Sequence, residues 1–293
     1  MDRVRSTVPM PWRRRVARWR LQARRPTGFL RGLPDLLIIG AQRCGTSSLY
    51  TYLGQHPQVS PSIRKEIEFF STRYGEGINW YRAHFPLRFA SHSFTFEATP
   101  DYLLHPLAAE RARSLVPEAK VIAMLRDPVD RAYSQYQHNR RLGNEPLSFA
   151  QALEAEPSRV AGEFERLVAE PAYSGTSLRR YGYVARGKYY EQVRRWTEAY
   201  PADQILFIRS EDFFAAPDLV YAGVLRFLGL PEAKLAEFRN HSIRPVNTLT
   251  KSLPVEELGD SIRDRLVEVF AEDTERVYEL VNRDYGWLSA RTG

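Results

Sequence analysis

Two short segments of the 293-residue chain carry side chains suited to binding an anion and to moving a proton. In residues 40–48, GAQRCGTSS, two glycines, an arginine and three adjacent hydroxyl side chains follow an apolar run. Glycines let backbone N–H groups point to one centre, and the free N–H groups at a helix start attract phosphate or sulfate. In residues 64–70, RKEIEFF, the alternation predicts an extended segment with the carboxylates of Glu66 and Glu68 on one side, where they could accept a proton. The alternative is a pair of exposed charges bound to Arg64 and Lys65.

The loop at 40–48 departs from the nucleotide-binding motif GxxxxGK[ST] at one position. Gly40 and Gly45 have the required spacing, but Thr46 stands where the motif has lysine, and the cation is Arg43. Without a lysine for β- and γ-phosphates, the loop favours a shorter 5′-phosphoryl group that carries something transferable. The residues expected to bind it are Gln42, Arg43, Cys44, Gly45, Thr46, Ser47 and Ser48. The alternative is an ordinary strand–turn–helix with Thr46 as the N-cap.

A second cation, Arg126, follows the apolar run at residues 121–125. The Asp-Pro pair at 127–128 predicts a helix start, with a capping side chain followed by proline in the first turn. Ligands of open α/β sheets bind at the carboxyl ends of strands, so Arg126 could grip a phosphate through two hydrogen bonds. The alternative is a structural ion pair of Arg126 with Asp127 or Asp130.

Both segments belong to an alternation of short apolar runs and helical patterns. The predicted strands are 36–39, 94–97, 121–125 and 205–208, and the predicted helices lie near 46–55, 105–115, 129–141, 189–200, 217–228 and 257–283. Fully apolar strands separated by helices predict an α/β fold, a P-loop-like central parallel sheet flanked by helices. The polar, helix-prone residues 142–180 are expected to form an insertion over a site.

The net charge of +7 is concentrated at the N-terminus. Residues 1–33 contain ten arginines and one acid, a formal +9, so residues 34–293 carry −2. We therefore divide the chain into an Arg-rich arm, 1–33, and one domain, 34–293. On a helical wheel the apolar stripe of the arm consists of Trp12, Val16, Trp19 and Ala23. Three interpretations fit: an interfacial helix on an anionic membrane, a segment docked on its own domain and, least expected, a nucleic-acid arm.

Composition excludes several classes of protein. With 43% hydrophobic residues the chain can bury a large core, so dominant disorder is excluded. Cys44 is the only cysteine and the six histidines lack i, i+4 pairs, so neither a disulfide framework nor a metal site is expected. No run of 18 apolar residues and no secretory signal pattern occur, which predicts a cytoplasmic protein, with a peripheral membrane position left open.

With these segments in view, the chain resembles the sulfotransferases that use 3′-phosphoadenosine 5′-phosphosulfate (PAPS), in particular the heparan-sulfate-like and bacterial carbohydrate branch. IIGAQRCGTSSLYTYLGQHPQV is similar to the family's 5′-phosphosulfate loop and helix, RKEIEFF to its catalytic segment, and VIAMLRDPVDRAYSQY to its 3′-phosphate block. Weaker similarities are FEATPDYL, GKYYEQVRRW, FLGLP and the final helix ending at Trp287. The resemblance spans residues 36–287 as a single sulfotransferase domain.

The resemblance implies roles for individual side chains. Arg126 and Ser134 would hold the 3′-phosphate. Glu66 would be the base that deprotonates the acceptor. Arg43, where many relatives have lysine, would stabilise the transferring group electrostatically without giving up a proton. Glu68 stands where the family often has histidine, so its contact with the acceptor differs from the family's pattern.

Other positions follow from the resemblance with less detail. The candidate substrate-binding residues are Glu68, Glu97, Asp101 and Tyr189. Arg186, near the start of the same predicted helix as Tyr189, faces the nucleotide, the acceptor or solvent. Cys44 replaces a glycine of some relatives and is expected to pack, because no triad partner for a nucleophile is evident. The loop that closes the nucleotide site would lie near 240–247.

The combined prediction is in-line, metal-independent transfer of a sulfuryl group from PAPS to a hydroxyl of a carbohydrate, glycolipid or other small acceptor, with an amine in second place. One alternative is a P-loop kinase, which Thr46 weakens and which would need Asp127 as a Mg²⁺ ligand. Another is a non-catalytic scaffold that binds a membrane or nucleic acid through residues 1–33. The sequence makes no prediction of the oligomeric state.

Overall fold

A computed structural model describes residues 19, 21–88, 94–234 and 257–288. From residue 36 onward, the described strands are β1 Leu36–Gly40, β2 Val59–Pro61, β3 Phe94–Ala98, β4 Lys120–Leu125 and β5 Ile205–Arg209. The described α-helices of the same part are α1 Thr46–Leu53, α2 Ile78–Arg82, α3 Asp101–Leu104, α4 Ala108–Leu115, α5 Pro128–Arg141, α6 Phe149–Val160, α7 Glu163–Ala169, α8 Thr176–Tyr181, α9 Tyr190–Ala199, α10 Ser210–Ala215, α11 Pro217–Leu228 and α12 Asp260–Val281.

The five strands form one parallel sheet in the order β2-β3-β1-β4-β5. On one side of β1, Leu36 lies opposite Phe96 of β3, and on the other Leu37 lies opposite Val121 of β4. The chain moves from β1 to β2 and β3 on one side and later to β4 and β5 on the other. The carboxyl ends of β1 and β4 therefore flank a topological switch point, where crevices form in open α/β sheets.

Burial of the central strands explains their composition. Every residue of β1 and all but the first residue of β4 are buried, so layers of other residues cover both faces of these strands. The predicted α/β fold with a parallel sheet is confirmed. The patterns did not predict β2, which is only three residues long and contains Ser60 and Pro61, as an edge strand can.

The segment at 142–180 forms helices α6, α7 and α8, the last ending at Tyr181. It is joined to α5 through Asn139, whose Nδ2 donates to the Arg180 carbonyl at 2.5 Å. The buried Glu156 of α6 accepts the backbone N–H groups of Val184 and Ala185, both at 2.8 Å. These bonds fix the position of α8, which carries Arg179 toward the carboxyl end of the sheet.

The described end of the arginine-rich arm packs on the domain. Arg24 and Arg31 both donate to the carbonyl of Phe85, at 2.9 and 3.0 Å. Gly28 lies so close to Asn79 that an added Cβ would be 2.3 Å from its carbonyl oxygen, which requires glycine there. Trp19, a member of the predicted apolar stripe, is 70% exposed, whereas Trp12 and Val16 lie outside the described residues. No helix in the described ranges is long and apolar enough to cross a membrane.

Candidate active site

The loop after β1 turns tightly under constraints that require glycine. Ala41 donates its backbone N–H to the carbonyl of Met124 in β4 at 2.7 Å, which holds the loop at the switch point. Gly45 has a φ of 93°, and a Cβ there would meet the Phe214 ring at 3.0 Å. A Cβ on Gly40 would be 2.7 Å from the Cβ of Leu103. The two glycines of the motif are therefore needed for backbone shape and close packing.

The loop presents donors for an anion. Within the described part of the chain, the backbone N–H groups of Arg43, Gly45, Thr46 and Ser47 have no backbone acceptor. Helix α1 begins at Thr46, whose side chain makes no capping bond because Gly45 is the N-cap. The alternative of a Thr46 cap is therefore not observed. Free N–H groups at the positive end of a helix form a site for phosphate or sulfate.

Gln42 and Ser48 complete the loop in different ways. The Gln42 side-chain oxygen is buried and has no hydrogen-bond partner among the described residues. An orphaned acceptor of this kind favours binding of a ligand that supplies a hydroxyl or N–H donor. Ser48, in contrast, is fully buried inside α1.

Cys44 lies beneath the loop and not on its binding side. Its thiol is buried 3.9 Å from the Tyr189 hydroxyl, its N–H donates to Ala41, and its carbonyl accepts from Ser210 at 2.8 Å. Burial raises the pKa of this thiol, so it is not a reactive thiolate. This environment agrees with the packing role expected for Cys44. The side chain supports the loop from below and does not reach the side where a nucleotide would bind.

Arg43 is the junction between the loop and α5. Its Nε donates to the hydroxyl of Ser134 at 3.1 Å. Burial, followed by the charges of Arg141 and Arg126, lowers the pKa of Arg43 to about 10, which leaves it charged at neutral pH. Its φ of 71° is uncommon for a residue other than glycine and costs about 1 kcal/mol or more. The loop thus holds a cation in a strained conformation among other cations.

Arg126 sits at the end of β4 as predicted. Tyr189 donates its hydroxyl to the Arg126 carbonyl at 3.1 Å, and this buried tyrosine lies under the loop. The Asp127 side chain caps α5 by accepting the N–H groups of Val129 and Asp130, which confirms the predicted helix start. Asp130 pairs with Arg263 at 2.7 Å. No acidic partner of Arg126 occurs among the described residues, so the alternative ion pair is not observed.

Arg141 was not predicted from the motifs. After burial, the charge of Arg141 is the largest influence that lowers the pKa of Arg43. It follows Ser134 by seven residues on the same helix, and two helical turns return a side chain to almost the same face. Helical spacing from Ser134 could therefore have identified Arg141 as a further cation of this site.

The second segment, 64–70, is not extended as its alternation predicts. Glu66 and Glu68 have φ values of 60° and 62°, in the left-handed region, and Ile67 between them is fully buried. The Glu66 N–H donates to the carbonyl of Ala98 at 2.9 Å, at the end of β3. Because β3 pairs with β1, this bond brings Glu66 to the sheet edge from which the loop departs.

The Glu66 carboxylate is accessible. Its side chain is 51% exposed and pairs with Lys65 at 2.8 Å, as the alternative of a surface ion pair expects. An exposed pair of this type contributes little to stability. Exposure also leaves the carboxylate able to reach an acceptor, so the pair and the role of a base are compatible.

Glu68 belongs to an ion network that motifs did not reveal. Arg179 of α8 donates to Glu68 at 2.6 Å and pairs with Asp101 at 2.8 Å, and Asp101 also pairs with the buried Arg186 at 2.7 Å. Burial would raise the pKa of Asp101, but Arg186 and Arg179 lower it overall. The network joins two candidate substrate-binding residues, although Arg179 lies in a segment with no readable motif.

Glu97 and Tyr189 are placed away from an open cleft. Glu97 is completely buried and accepts hydroxyl protons from Tyr81, Thr99 and Tyr102 at 2.6, 2.8 and 3.0 Å. Burial raises the pKa of this carboxyl to about 7, despite the three hydrogen bonds. The structure thus does not bring either residue to a surface where an acceptor could touch it. The candidate closing loop at 240–247 lies outside the described residues.

Residues 33–265 match the model of the Sulfotransferase domain family. The chain is 29% identical to "Bifunctional heparan sulfate N-deacetylase/N-sulfotransferase 1" of Caenorhabditis elegans over 87% of this chain and 30% of that protein. It is 27% identical to "Membrane-associated sulfotransferase kil1" of Dictyostelium discoideum over 89% of this chain and 68% of that protein. It therefore spans less than a third of the length of the first relative.

Solved structures with the same fold agree with this match. A sulfotransferase from Alicyclobacillus acidocaldarius superimposes with a TM-score of 0.66 at 29% identity, covering 87% of this chain and 99% of that one. Mouse SULT7A1 complexed with PAP shares the fold with a TM-score of 0.50 at 15% identity, over 85% and 87% of the two chains. The predicted family and fold are confirmed, and the chain belongs to the sulfotransferase domain family.

Proposed function

We propose that the chain transfers a sulfuryl group from PAPS to a hydroxyl group of a carbohydrate, glycolipid or other small acceptor. The observation that carries the proposal is a convergence at one edge of the sheet. Arg43 is hydrogen-bonded to Ser134, and the charge of Arg126 lowers its pKa. The backbone of Glu66 is hydrogen-bonded to the end of the neighbouring strand β3. Cations for the two anionic ends of the donor and a carboxylate for the acceptor therefore lie at the same end of the sheet.

The residues of the donor side fit PAPS. When bound, PAPS supplies a transferable sulfuryl group at its 5′ end and a separate 3′-phosphate. The free N–H groups at the start of α1 would bind the 5′ end, since they have no backbone acceptor in the described ranges. Arg126 and Ser134 would bind the 3′-phosphate, and Arg141 would add charge. The orphaned Gln42 oxygen would accept a donor from the nucleotide or the acceptor.

The acceptor side needs a base and an aligned hydroxyl. Glu66 would take the hydroxyl proton, because its carboxylate is half-exposed and its backbone is tied to β3. Arg43 would stay protonated and stabilise the charge that develops as the bond to sulfur breaks. Binding both reactants on one edge would align them for in-line displacement. The network of Glu68, Arg179 and Asp101 would form the wall against which the acceptor lies.

The acceptor class follows from the relatives. The names of several relatives specify heparan sulfate, which is a carbohydrate, and an N-sulfotransferase, so they support a carbohydrate acceptor and make its amine a candidate beside its hydroxyl groups. We propose a carbohydrate hydroxyl as the acceptor here, with a carbohydrate amine as the second candidate. Transfer of radiolabelled sulfate from PAPS to a panel of polysaccharides with free hydroxyls or free amines would separate the two.

The direct test of the donor compares two nucleotides. A ligand present at a hundred times its Kd stabilises a protein by about 2.7 kcal/mol. Adenosine 3′,5′-bisphosphate should therefore raise the thermal midpoint clearly, and Mg·ATP should not. A shift with Mg·ATP and none with the bisphosphate would contradict the proposal and favour the P-loop kinase.

The positions of Thr46 and Asp127 weaken the kinase alternative. Thr46 occupies the lysine position and is buried at the start of α1. Asp127, the carboxylate that would hold Mg²⁺, instead accepts two backbone N–H groups as the cap of α5.

We further propose that the arm holds the enzyme peripherally at the cytoplasmic face of an anionic membrane. The seven arginines of residues 1–20 would bind anionic headgroups, whereas Arg24 and Arg31 are bound to the domain. Trp19 and Phe29, which are 70% and 58% exposed beside the anchors Arg24 and Arg31, would enter the interface. Removing residues 1–18 should abolish binding to phosphatidylserine vesicles and leave sulfate transfer intact. Vesicle binding that depends on residues 1–18, in a chain that shows no sulfate transfer even at full length, would instead support the scaffold alternative.

A further inference from the structure

A buried carboxylate lies beneath the segment that carries Glu66. Glu97 is completely inaccessible, and the three hydroxyl groups that donate to it belong to Tyr81, Thr99 and Tyr102, all of them buried. A buried carboxylate is costly unless it is well hydrogen-bonded. A chain that retains one in its core accepts a cost in stability, which suggests that the group has a use beyond packing.

Two of the three hydroxyl oxygens also accept hydrogen bonds from backbone N–H groups of the 64–70 segment. The Tyr102 oxygen accepts the N–H of Phe69 at 2.8 Å, and the Thr99 oxygen accepts the N–H of Glu68 at 3.4 Å. Each hydroxyl has a single proton. Because each hydroxyl donates its hydrogen bond to Glu97, the lone pairs of both oxygens are left to accept the backbone N–H groups.

The segment held in this way is strained. Glu66 and Glu68 both have left-handed backbone angles, and such angles persist only where the surroundings impose them. The Glu66 N–H is bound to Ala98, so the three consecutive β3-end residues Glu97, Ala98 and Thr99 all contribute to holding this turn. The turn decides where the Glu66 carboxylate emerges.

We infer that Glu97 is a positioning residue, which acts through Tyr102 and Thr99 to hold the Glu66 backbone in the orientation that the transfer reaction needs. This inference rests on the proposed function. Glu97 touches neither reactant. It sets the direction of two hydrogen bonds to the backbone N–H groups of Glu68 and Phe69, which follow the base in the same turn.

Tyr81 provides a matched control inside the same cluster. Its hydroxyl also donates to Glu97, at 2.6 Å, and its ring stacks on Phe69 at a centroid distance of 4.2 Å. Its hydroxyl, unlike that of Tyr102, has no backbone N–H of the segment 64–70 bound to it. Tyr81→Phe therefore removes one buried hydrogen bond to Glu97 and keeps the ring and the anchoring of the turn.

The experiment compares Tyr102→Phe, Thr99→Val, Glu97→Gln and Tyr81→Phe, with kcat, the KM of the acceptor, the Kd of adenosine 3′,5′-bisphosphate and the thermal midpoint measured for each. The first three should lower kcat by about 10- to 100-fold, because small misplacements of reacting groups have effects of that size. Their Kd for the bisphosphate should stay within about twofold of the wild type. Tyr81→Phe should be destabilised similarly to Tyr102→Phe but keep its kcat.

The outcomes distinguish a failure of the inference about Glu97 from a failure of the proposed sulfotransferase function. Equal kcat in Tyr102→Phe and Tyr81→Phe, at equal thermal midpoints, would reduce Glu97 to a structural group and overturn the inference. So would a wild-type kcat in Glu97→Gln. Absence of sulfate transfer by the wild-type chain, across the acceptor panel, would instead contradict the proposed function. A variant that fails to fold is recognised by loss of bisphosphate binding, and Thr99→Val then carries the comparison.

Discussion

The Nε of Arg43 lies 3.1 Å from the hydroxyl of Ser134, so that a strained loop after β1 and the second turn of α5 are joined by one hydrogen bond. The resemblance assigns Arg43 to the sulfuryl end of the donor and Ser134 to its 3′-phosphate. Their contact means that the two ends of the donor site are not independent. A change at Ser134 should therefore be felt at Arg43.

We predict that Ser134→Ala lowers both nucleotide affinity and kcat. Loss of a hydrogen bond to a charged group corresponds to roughly 10-fold or more in the Kd of adenosine 3′,5′-bisphosphate. The kcat should fall as well, because Arg43 loses the group that orients it. Isothermal titration and steady-state kinetics measure the two effects. Ser158→Ala, an exposed hydroxyl of α6 bonded to its own helix, is the control. An unchanged kcat would show that Arg43 is oriented by other contacts.

Removal of the proposed base should separate binding from chemistry. Glu66→Gln keeps the size of the side chain but cannot accept the proton, so we expect transfer to fall by about 100-fold or more. The Kd of the bisphosphate should be unchanged, because Glu66 lies on the acceptor side. Glu198→Gln, at an exposed carboxylate of α9, should behave as the wild type. Full activity of Glu66→Gln would remove it from the mechanism.

Loss of the Arg126 side chain should weaken nucleotide binding. Arg126→Ala removes a cation without an acidic partner in the described ranges, so little folded-state pairing is lost. We expect the Kd of the bisphosphate to rise by about 10- to 100-fold, the range of a charged hydrogen bond. Arg194→Ala, which breaks only the exposed pairs with Glu191 and Glu198, is the control. Equal affinity of the two variants would contradict the assignment of Arg126.

Glu97 should make stability depend on pH. Its pKa is raised to about 7 by burial, above the unfolded value of 4.5. Its contribution to the free energy of unfolding is therefore complete below about pH 4.5 and is lost as the pH rises through 7, because the folded state must then bury a charge. Relative to Glu97→Gln, the wild type should lose about 3 kcal/mol between these limits. Urea unfolding at pH 4 and pH 8 measures this difference. If the difference in unfolding free energy between the wild type and Glu97→Gln did not change with pH, the pKa of Glu97 would not be raised in the folded protein.

Salt should act on the arm more than on the active site. Exposed charges are screened over about 10 Å at 0.1 M salt, whereas the half-buried Arg43 and its neighbours are screened less. Between 0.05 and 0.5 M NaCl, binding to phosphatidylserine vesicles should therefore weaken far more than bisphosphate binding. The shortened chain without residues 1–18 keeps the anchors Arg24 and Arg31 and serves as the control. Equal salt dependence of the two binding reactions would contradict this division.

The sequence alone was sufficient for the elements with a local signal. Four of the five strands were predicted, since apolar runs such as 36–39 and 121–125 are buried on both faces in a parallel sheet. The start of α5 was predicted by the Asp-Pro pair, because capping depends only on neighbours in the chain. β2 was missed, since three edge residues with a proline carry no pattern.

The candidate site divides in the same way. Arg43, Arg126 and Ser134 were proposed as site residues because they belong to contiguous motifs beside predicted strand ends, and the structure places Arg43 against Ser134. Arg179 was not found, since its partners Glu68 and Asp101 are 111 and 78 positions away along the chain. The extended form expected for 64–70 was wrong, because bonds from Ala98, Thr99 and Tyr102 impose left-handed angles on two residues whose alternation suggests a strand.

What the residues determined by themselves was therefore the position of most strands and of a candidate anion-binding loop, with Arg43, Arg126 and Glu66 as candidate site residues. What only the tertiary structure decided was which side chains meet and which are enclosed. Glu97 shows the difference. In the sequence it is one more acid near an acceptor motif, and in the fold it is a buried carboxylate under the proposed base. Local patterns arise from bonds between neighbours, whereas burial depends on the packing of segments that are distant in the chain.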